Sequence, residues 1–279
     1  MNTNVLKKIS AFSDGQAGGN PAGVLIADQL PADAEMQRIA AELGFSETVF
    51  AQPRGKAWRV RYFSPENEVP FCGHATIALG AALALKQGDG LFDLILNSAT
   101  ISVEGRQEGE LFAAALQSPP TRSAAADPAL LAAALALFGL DADDLDPRMP
   151  PGLAHGGADH LVLALKSRAR LAAMNYDLDQ GRKLMQAAGL TTILLAYIET
   201  PQLFHTRNAF ASGGVLEDPA TGAATAAFAG YLRDLGWPHG GRIDIVQGED
   251  MGARSLLRAE IPAAAGSSIR VSGAARLMS

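Results

Sequence analysis

A few residues in this chain have types and settings suited to moving protons or holding an anion. Glu47 lies inside the apolar run GFSETVFAQP (Gly44–Pro53), flanked by Phe45, Val49 and Phe50. A carboxylate in such company loses water, which raises its pKa toward the range useful for proton transfer. The bland alternative is a strand residue facing solvent. Two other stretches, PFCGHATIALGAAL from Pro70 and PATGAATAAFAGYL from Pro219, each open a helical pattern with Gly-x-Ala-Thr. A helix start leaves its first amides unpaired and carries a partial positive charge, and glycine admits a ligand close to the backbone. Gly73 and Gly222 are therefore candidate seats for a carboxylate or phosphate. A purely capping role is the competing reading for either one.

The two stretches also match each other. Gly73 pairs with Gly222, Ala75 with Ala224, Thr76 with Thr225, Ala78 with Ala227 and Leu83 with Leu232, an offset of 222 − 73 = 149 residues. Weaker matches in the same order set Phe63 against Phe210 and Gly44 against Gly189. Repeats in order imply two copies of one domain. Around the shared turn the polar residues differ. Cys72, Gly73, His74 and Thr76 stand at the first start. Glu217 and Asp218 precede the second, where Ala223 replaces the histidine and Thr192 is the counterpart of Glu47.

Cys72 beside His74 invites a cysteine-nucleophile reading. A small buried residue is the favoured reading, since residues two apart on a helix do not face each other. His74 is a candidate proton relay or carboxylate partner for Glu47 and Asp218. Asp218 is either a helix N-cap or a substrate contact. His155 and His160 lack the spacing and companions of a metal site and stay unassigned. No metal site is expected, and neither a dinucleotide fingerprint nor a phosphate-loop lysine motif is present.

The elements that must position these residues are short β-rich runs alternating with helical patterns, an α+β chain with mixed or antiparallel sheets. The segment SPPTRSAAAD (Ser118–Asp127) reads as the linker, dividing residues 1–118 from residues 119–279, with the last strand able to return to the first domain. The composition is that of a globular protein, 48% hydrophobic and 19% charged. The net charge of −6, without basic runs, argues against nucleic acid and anionic membrane partners and favours a small-molecule ligand. A single cysteine, no leader-like N-terminus and no apolar run near membrane-spanning length make a cytoplasmic protein the expectation.

Six motifs in order carry a resemblance to a known family. GGNPAGV (Gly18–Val24), GFSETVF (Gly44–Phe50), CGHAT (Cys72–Thr76), EDPATGAA (Glu217–Ala224), VQGEDMGARS (Val246–Ser255) and the terminal VSGAARL resemble the phenazine-biosynthesis PhzF-like proteins. These are similar in fold to diaminopimelate epimerase and proline racemase. The resemblance implies two pseudo-symmetric domains, each a β-barrel-like sheet around a central helix, and a homodimer. It puts the catalytic glutamate on Glu47, with His74 and Asp218 as further catalytic residues beside Gly73. Substrate contacts would come from Cys72, Gly73, Thr76, Gly222 and Ala223. The implied chemistry is a cofactor-free isomerisation of a small carboxylate such as a dihydro-3-hydroxyanthranilate, in which the glutamate carries a proton between carbons.

Two departures narrow this. Ala223 stands where the family often has serine, which puts the phenazine substrate itself in doubt. The second helix start has no cysteine, so a two-thiol racemase is excluded by count. A ligand-binding protein that kept the fold and lost the chemistry, or a lyase or hydrolase using Glu47 as base for water, are the alternative readings.

Overall fold

The computed structural model describes residues 6–278. Strands β1 (Lys7–Ala11) and β2 (Asn20–Ile26) precede helix α1 (Asp33–Leu43) and strands β3 (Glu47–Arg54), β4 (Ala57–Phe63) and β5 (Glu68–Val69). Helix α2 (Gly73–Gln87) leads to β6 (Gly90–Ile95), β7 (Thr100–Glu108) and β8 (Leu111–Gln117). The chain continues through β9 (Arg122–Ala125), α3 (Pro128–Phe138), β10 (Gly152–His155) and β11 (Asp159–Leu165). Two helices, α4 (Arg168–Ala172) and α5 (Leu178–Ala187), come next, followed by β12 (Thr192–Thr200), β13 (Leu203–Ala209) and β14 (Glu217–Asp218). Helix α6 (Gly222–Asp234) and strands β15 (Arg242–Gln247), β16 (Ser255–Glu260) and β17 (Arg270–Leu277) complete it.

Strand pairing makes a mixed architecture with one closed barrel. β1 to β4 pair in succession, β4 continues to β6, β7 and β8, and β17 joins β8 to β1, so eight strands close into a ring. Helix α2 packs on seven of those strands, and from Gly73 to Ala84 it is buried on every side. A helix with an all-round apolar surface has no face to give to water and must be enclosed. Ile77, Leu79 and Leu83 are wholly buried there, each contributing about 1.5–3 kcal/mol. Helix α6, equally alanine-rich and buried from Gly222 to Leu232, packs against β9, β10, β11, β16 and β17.

The pairing from β10 onward follows the same succession as that from β1. An antiparallel pair (β1–β2, β10–β11) is followed by a parallel one (β2–β3, β11–β12), an antiparallel one (β3–β4, β12–β13) and a second parallel one (β4–β6, β13–β15). In this register Glu47 and Thr192 hold matching positions, opposite Ala22 and His160. The Phe63–Phe210 correspondence read from sequence is off by one. Thr48 faces Phe63 whereas Ile193 faces Ala209, and Phe210 has left the strand. A one-residue slip moves a strand side chain to the opposite face, so this correction matters.

The predicted linker is also corrected. Pro119 and Pro120 lack the N–H groups a ladder needs, but Arg122–Ala125 beyond them pair with β10. Ser118 and Thr121 donate backbone bonds to Ile269 and Gly266, so the segment is stitched down rather than free. Among the described residues no helix is long and apolar enough to cross a membrane.

Candidate active site

Glu47 opens β3, and the parallel pairing of that strand with β2 turns it toward the start of α2. It is only 6% exposed, and His74 and Asp218 are each 3% exposed. Glu47 Oε2 lies 3.5 Å from His74 Nε2. The Ser46 hydroxyl lies 3.4 Å from the same nitrogen, and Cys72 Sγ lies 3.3 Å from Nδ1 and 4.0 Å from Nε2. Contrary to the sequence expectation, Cys72 and His74 do face each other. The helical rule fails here because Cys72 is the N-cap, with an extended backbone (φ −140°, ψ 119°) that swings its side chain back over the first turn.

Burial sets the protonation states. Loss of water, followed by the nearby charge of Asp218, pushes Glu47 up to about 8, against smaller opposing hydrogen bonds from Ser46 and Cys72. Asp218 rises to about 7, again first through burial, although Thr221 and Asn20 donate to its carboxylate. Burial lowers His74 to about 3, so its ring is neutral. Burial and the Glu47 carboxylate raise the Cys72 thiol well above its ordinary range. Cys72 is thus a neutral thiol, without the thiolate a nucleophile needs. A neutral imidazole donates through one nitrogen and accepts through the other, which suits His74 to pass a proton.

The two central helices begin, as α1 does at Ala32, without a side-chain cap, whereas α3, α4 and α5 have one. Asp127, Ser167 and Asp177 each cap a helix start with a side-chain oxygen. Cys72 and Thr221, the N-cap residues of α2 and α6, make no such bond. Asp218 is therefore not the N-cap of α6. Its carboxylate instead takes hydrogen bonds from Asn20 Nδ2 (2.7 Å) and Thr221 Oγ1 (2.5 Å), while Gln247 Nε2 donates to its carbonyl (2.7 Å). Two buried helix starts without caps leave amides pointing at whatever lies between them.

Those starts touch. A Cβ on Gly73 would lie 2.8 Å from the Ala223 nitrogen and 2.9 Å from Gly222 Cα, and one on Gly222 would lie 3.2 Å from Gly73 Cα. The shared glycines are thus required by helix-to-helix contact, a reason the sequence did not reveal. Ala223 is buried at 7% exposure beside this contact. Thr76 is spent within the barrel, donating to the Cys72 carbonyl (2.7 Å) and sharing a 2.7 Å bond with Tyr62. It has no group left for a substrate.

Glu47 forms part of the wall of a cavity of about 190 Å³, with Ser46, Phe71, Gly157, Thr191 and Phe210 among its other lining residues. Both halves of the chain contribute. Asn20, Gln247, Ser46 and Phe71 were not singled out from sequence, although Asn20 and Gln247 sit in the motifs GGNPAGV and VQGEDMGARS. Glu47, Cys72 and His74 bring three potential metal-ligand atoms within 4.8 Å of one another. The thiol lies 3.3 Å from Nδ1 and 4.0 Å from Nε2 of the ring and also hydrogen-bonds Glu47, so the three groups form one buried cluster.

Comparison with known proteins shows what the chain is similar to. The chain is 34% identical over 275 residues to trans-2,3-dihydro-3-hydroxyanthranilate isomerase of Pseudomonas aeruginosa, covering 95% of this chain and 94% of that one. It is 28% identical to an uncharacterized isomerase of Bacillus subtilis, covering 93% and 91%. Among solved structures, a predicted epimerase of Pseudomonas aeruginosa superposes with a TM-score of 0.87 at 25% identity, covering 99% and 98%. A probable proline racemase of Agrobacterium radiobacter shares the fold at TM-score 0.66 and 12% identity, covering 98% and 90%. The profile described as phenazine biosynthesis-like protein matches residues 9–279. By that profile, and by its identity to relatives covered over nearly their whole length, this chain belongs to the phenazine biosynthesis-like family.

Proposed function

We propose that this protein is a cofactor-independent isomerase that moves a proton on a small carboxylate-bearing substrate, with Glu47 as the general acid and base. Membership of the isomerase class rests on the relatives, which are named isomerases. The observation that carries the mechanism is Glu47 itself, buried in the cavity wall, held by burial near pKa 8 and in contact with His74. A base is most effective when its pKa lies near the working pH.

In this reading the substrate carboxylate sits against the first amides of α2 and α6, at Gly73, His74, Gly222 and Ala223. Glu47 takes a proton from a carbon alpha or vinylogous to that carboxylate. The electron pair left behind spreads into the carboxylate, where the amides and the two helix starts stabilise the added charge. Glu47 then returns the proton to another carbon on the same face, and the double bond shifts with it. His74 exchanges the proton with Glu47, and Asp218 holds the second half of the site in register. Cys72 is a hydrogen-bond partner of His74.

The repeated pairing succession supports two copies of one domain, residues 1–118 and 119–279, with β17 shared between them. Homodimerisation and a cytoplasmic location complete the proposal as expectations from the family resemblance and the composition.

The test is isotope exchange in D₂O with trans-2,3-dihydro-3-hydroxyanthranilate as the probe, followed by NMR. The wild-type protein is expected to place deuterium on a ring carbon. Glu47→Gln is expected to slow this by about 10²–10⁴-fold, the usual worth of a general acid–base group. Equal exchange by the two proteins would sink the mechanism.

A further inference from the structure

Each half of the chain fastens the short strand that leads into its central helix with a forked ion pair. Arg61 on β4 donates from Nε and Nη2 to the two carboxylate oxygens of Glu68 on β5, at 2.8 and 2.6 Å. Arg207 on β13 grips Glu217 on β14 through the same two nitrogens, with Nε at 2.9 Å. Glu68 stands opposite Phe63 and Glu217 opposite Ala209, the positions matched by strand register above. From each glutamate the chain passes one residue, then a proline, then the helix start: 217 − 68, 219 − 70 and 222 − 73 all equal 149. The arginines are offset by 207 − 61 = 146, so the connection inside the clamp is three residues longer in the second half. The pair persists across that difference. It is keyed to the helix start and not to the loop.

Stability alone does not account for the second pair. The side chains of Arg207 and Glu217 are 11% and 5% exposed, and taking two charges out of water offsets most of their attraction. Apolar groups of similar volume often serve a fold as well. What a forked pair adds is direction, since two parallel bonds fix angle as well as distance. β14 needs that help. It is two residues long, has two ladder partners on β13, and runs straight into Pro219, which has no N–H to donate. The remaining nitrogen of each arginine reaches a peripheral helix: Arg207 Nη1 donates to the Ala172 carbonyl at the end of α4 (2.8 Å), and Arg61 Nη1 to Asp33 in the first turn of α1. The parts held this way belong to the site. Alternation along β14 puts Asp218 on the opposite face from Glu217, where Asn20 donates to it. Directly after Glu68, Val69, Pro70 and Phe71 line the same cavity as Glu47.

Resting on the proposed isomerase, we infer that Arg61–Glu68 and Arg207–Glu217 are a duplicated pair of positioning clamps. They fix the approach to the two helix starts, so that Asp218 and the cavity wall stand in register with Glu47. The four residues act through the backbone they hold, not by contact with substrate.

Proton exchange into trans-2,3-dihydro-3-hydroxyanthranilate in D₂O, with urea unfolding of the same proteins, tests the more buried clamp. Arg207→Met strands the Glu217 carboxylate away from water and is expected to lower the unfolding midpoint and the exchange rate together. Adding Glu217→Leu removes the stranded charge and is expected to recover most of the midpoint. The rate of the double variant should nevertheless stay about tenfold below the wild type, with the loss in kcat and not in KM, as misplaced groups require. A rate that recovers with the midpoint would make the pair merely structural and overturn the clamp. Glu217→Gln keeps the shape and weakens the fork, so it serves should the methionine variants fail to fold; about a threefold loss of kcat is expected, and a wild-type rate overturns the clamp. Absence of exchange by the wild type would remove the isomerase reading instead. The clamp is then judged by amide hydrogen exchange: the double variant is expected to lose about tenfold of its protection over residues 216–224 while α3 keeps its own, and unchanged protection there overturns it.

Discussion

The starts of α2 and α6 share a backbone and differ in chemistry. Both begin at a buried glycine, both lack a side-chain cap, and the two glycines rest against each other. Around α2 stand Cys72, His74 and, from β3, Glu47. Around α6 stand Ala223 and Thr221, with Asp218 tied to Asn20 rather than free. The difference teaches that packing holds the turn constant while the side chains around it are free to diverge. In the proposed mechanism the α2 start carries the groups that exchange protons, and the α6 start supplies amides and a braced carboxylate. Glu47 there both takes and returns the proton, which separates the proposal from a two-base racemase.

Breaking the shared contact should have the largest effect. Gly73→Ala puts a methyl group 2.8 Å from the Ala223 nitrogen, an atom fixed in a helix backbone, so something must shift. Gly222→Ala meets Gly73 Cα at 3.2 Å, where a few tenths of an ångström suffice. The expected destabilisation is about 2–4 kcal/mol for Gly73→Ala and about half that for Gly222→Ala, read from urea unfolding midpoints. Equal, negligible losses would mean that the glycines serve ligand approach alone.

The comparison also explains what the sequence could and could not convey. The Gly-x-Ala-Thr repeat and the apolar setting of Glu47 were legible because each is local, a few residues wide. The pairing of Asn20 with Asp218, 198 residues apart, was not, because a single Asn before a proline looks like any turn. Cys72 was misjudged relative to His74 because helical spacing was applied to a residue that is still extended. The strand at Arg122–Ala125 was read as linker because alanine and serine carry little strand signal, and its pairing with β10 supplies what propensity lacks. Thr76 was drawn into the site by its place in CGHAT, whereas Tyr62, from a distant strand, claims its hydroxyl.

Asp218→Asn sharpens the comparison electrostatically. The Asp218 charge is one reason Glu47 is raised, second to burial. As a base, Glu47 works when deprotonated, so kcat/KM should rise with pH through an apparent pKa near 8 in the wild type. Removing the Asp218 charge removes an upward push, so the rise should move to lower pH, by about half a unit to one unit. Stability follows the same sign. A carboxyl whose pKa is raised on folding stabilises the fold while it stays protonated, and that contribution fades as pH climbs from about 4.5 toward 8. The variant should flatten that decline. A profile moved to higher pH would mean that Asp218 acts on Glu47 as a proton donor instead of as a charge.

The smallest effect is expected at the thiol. Serine in place of Cys72 keeps a hydrogen-bonding group beside His74 Nδ1 and removes nucleophilic sulphur. Burial and the Glu47 carboxylate hold the thiol neutral, so nothing in the proton path depends on its ionisation. Cys72→Ser is therefore expected to keep kcat within about tenfold of the wild type and to leave the pH profile in place. A loss of a thousandfold or more with the fold intact would put a thiolate into the mechanism. It would also make the α2 start a two-group site, with Cys72 and Glu47 working on the same substrate carbon, and the contrast with α6 would then be one of nucleophile against none.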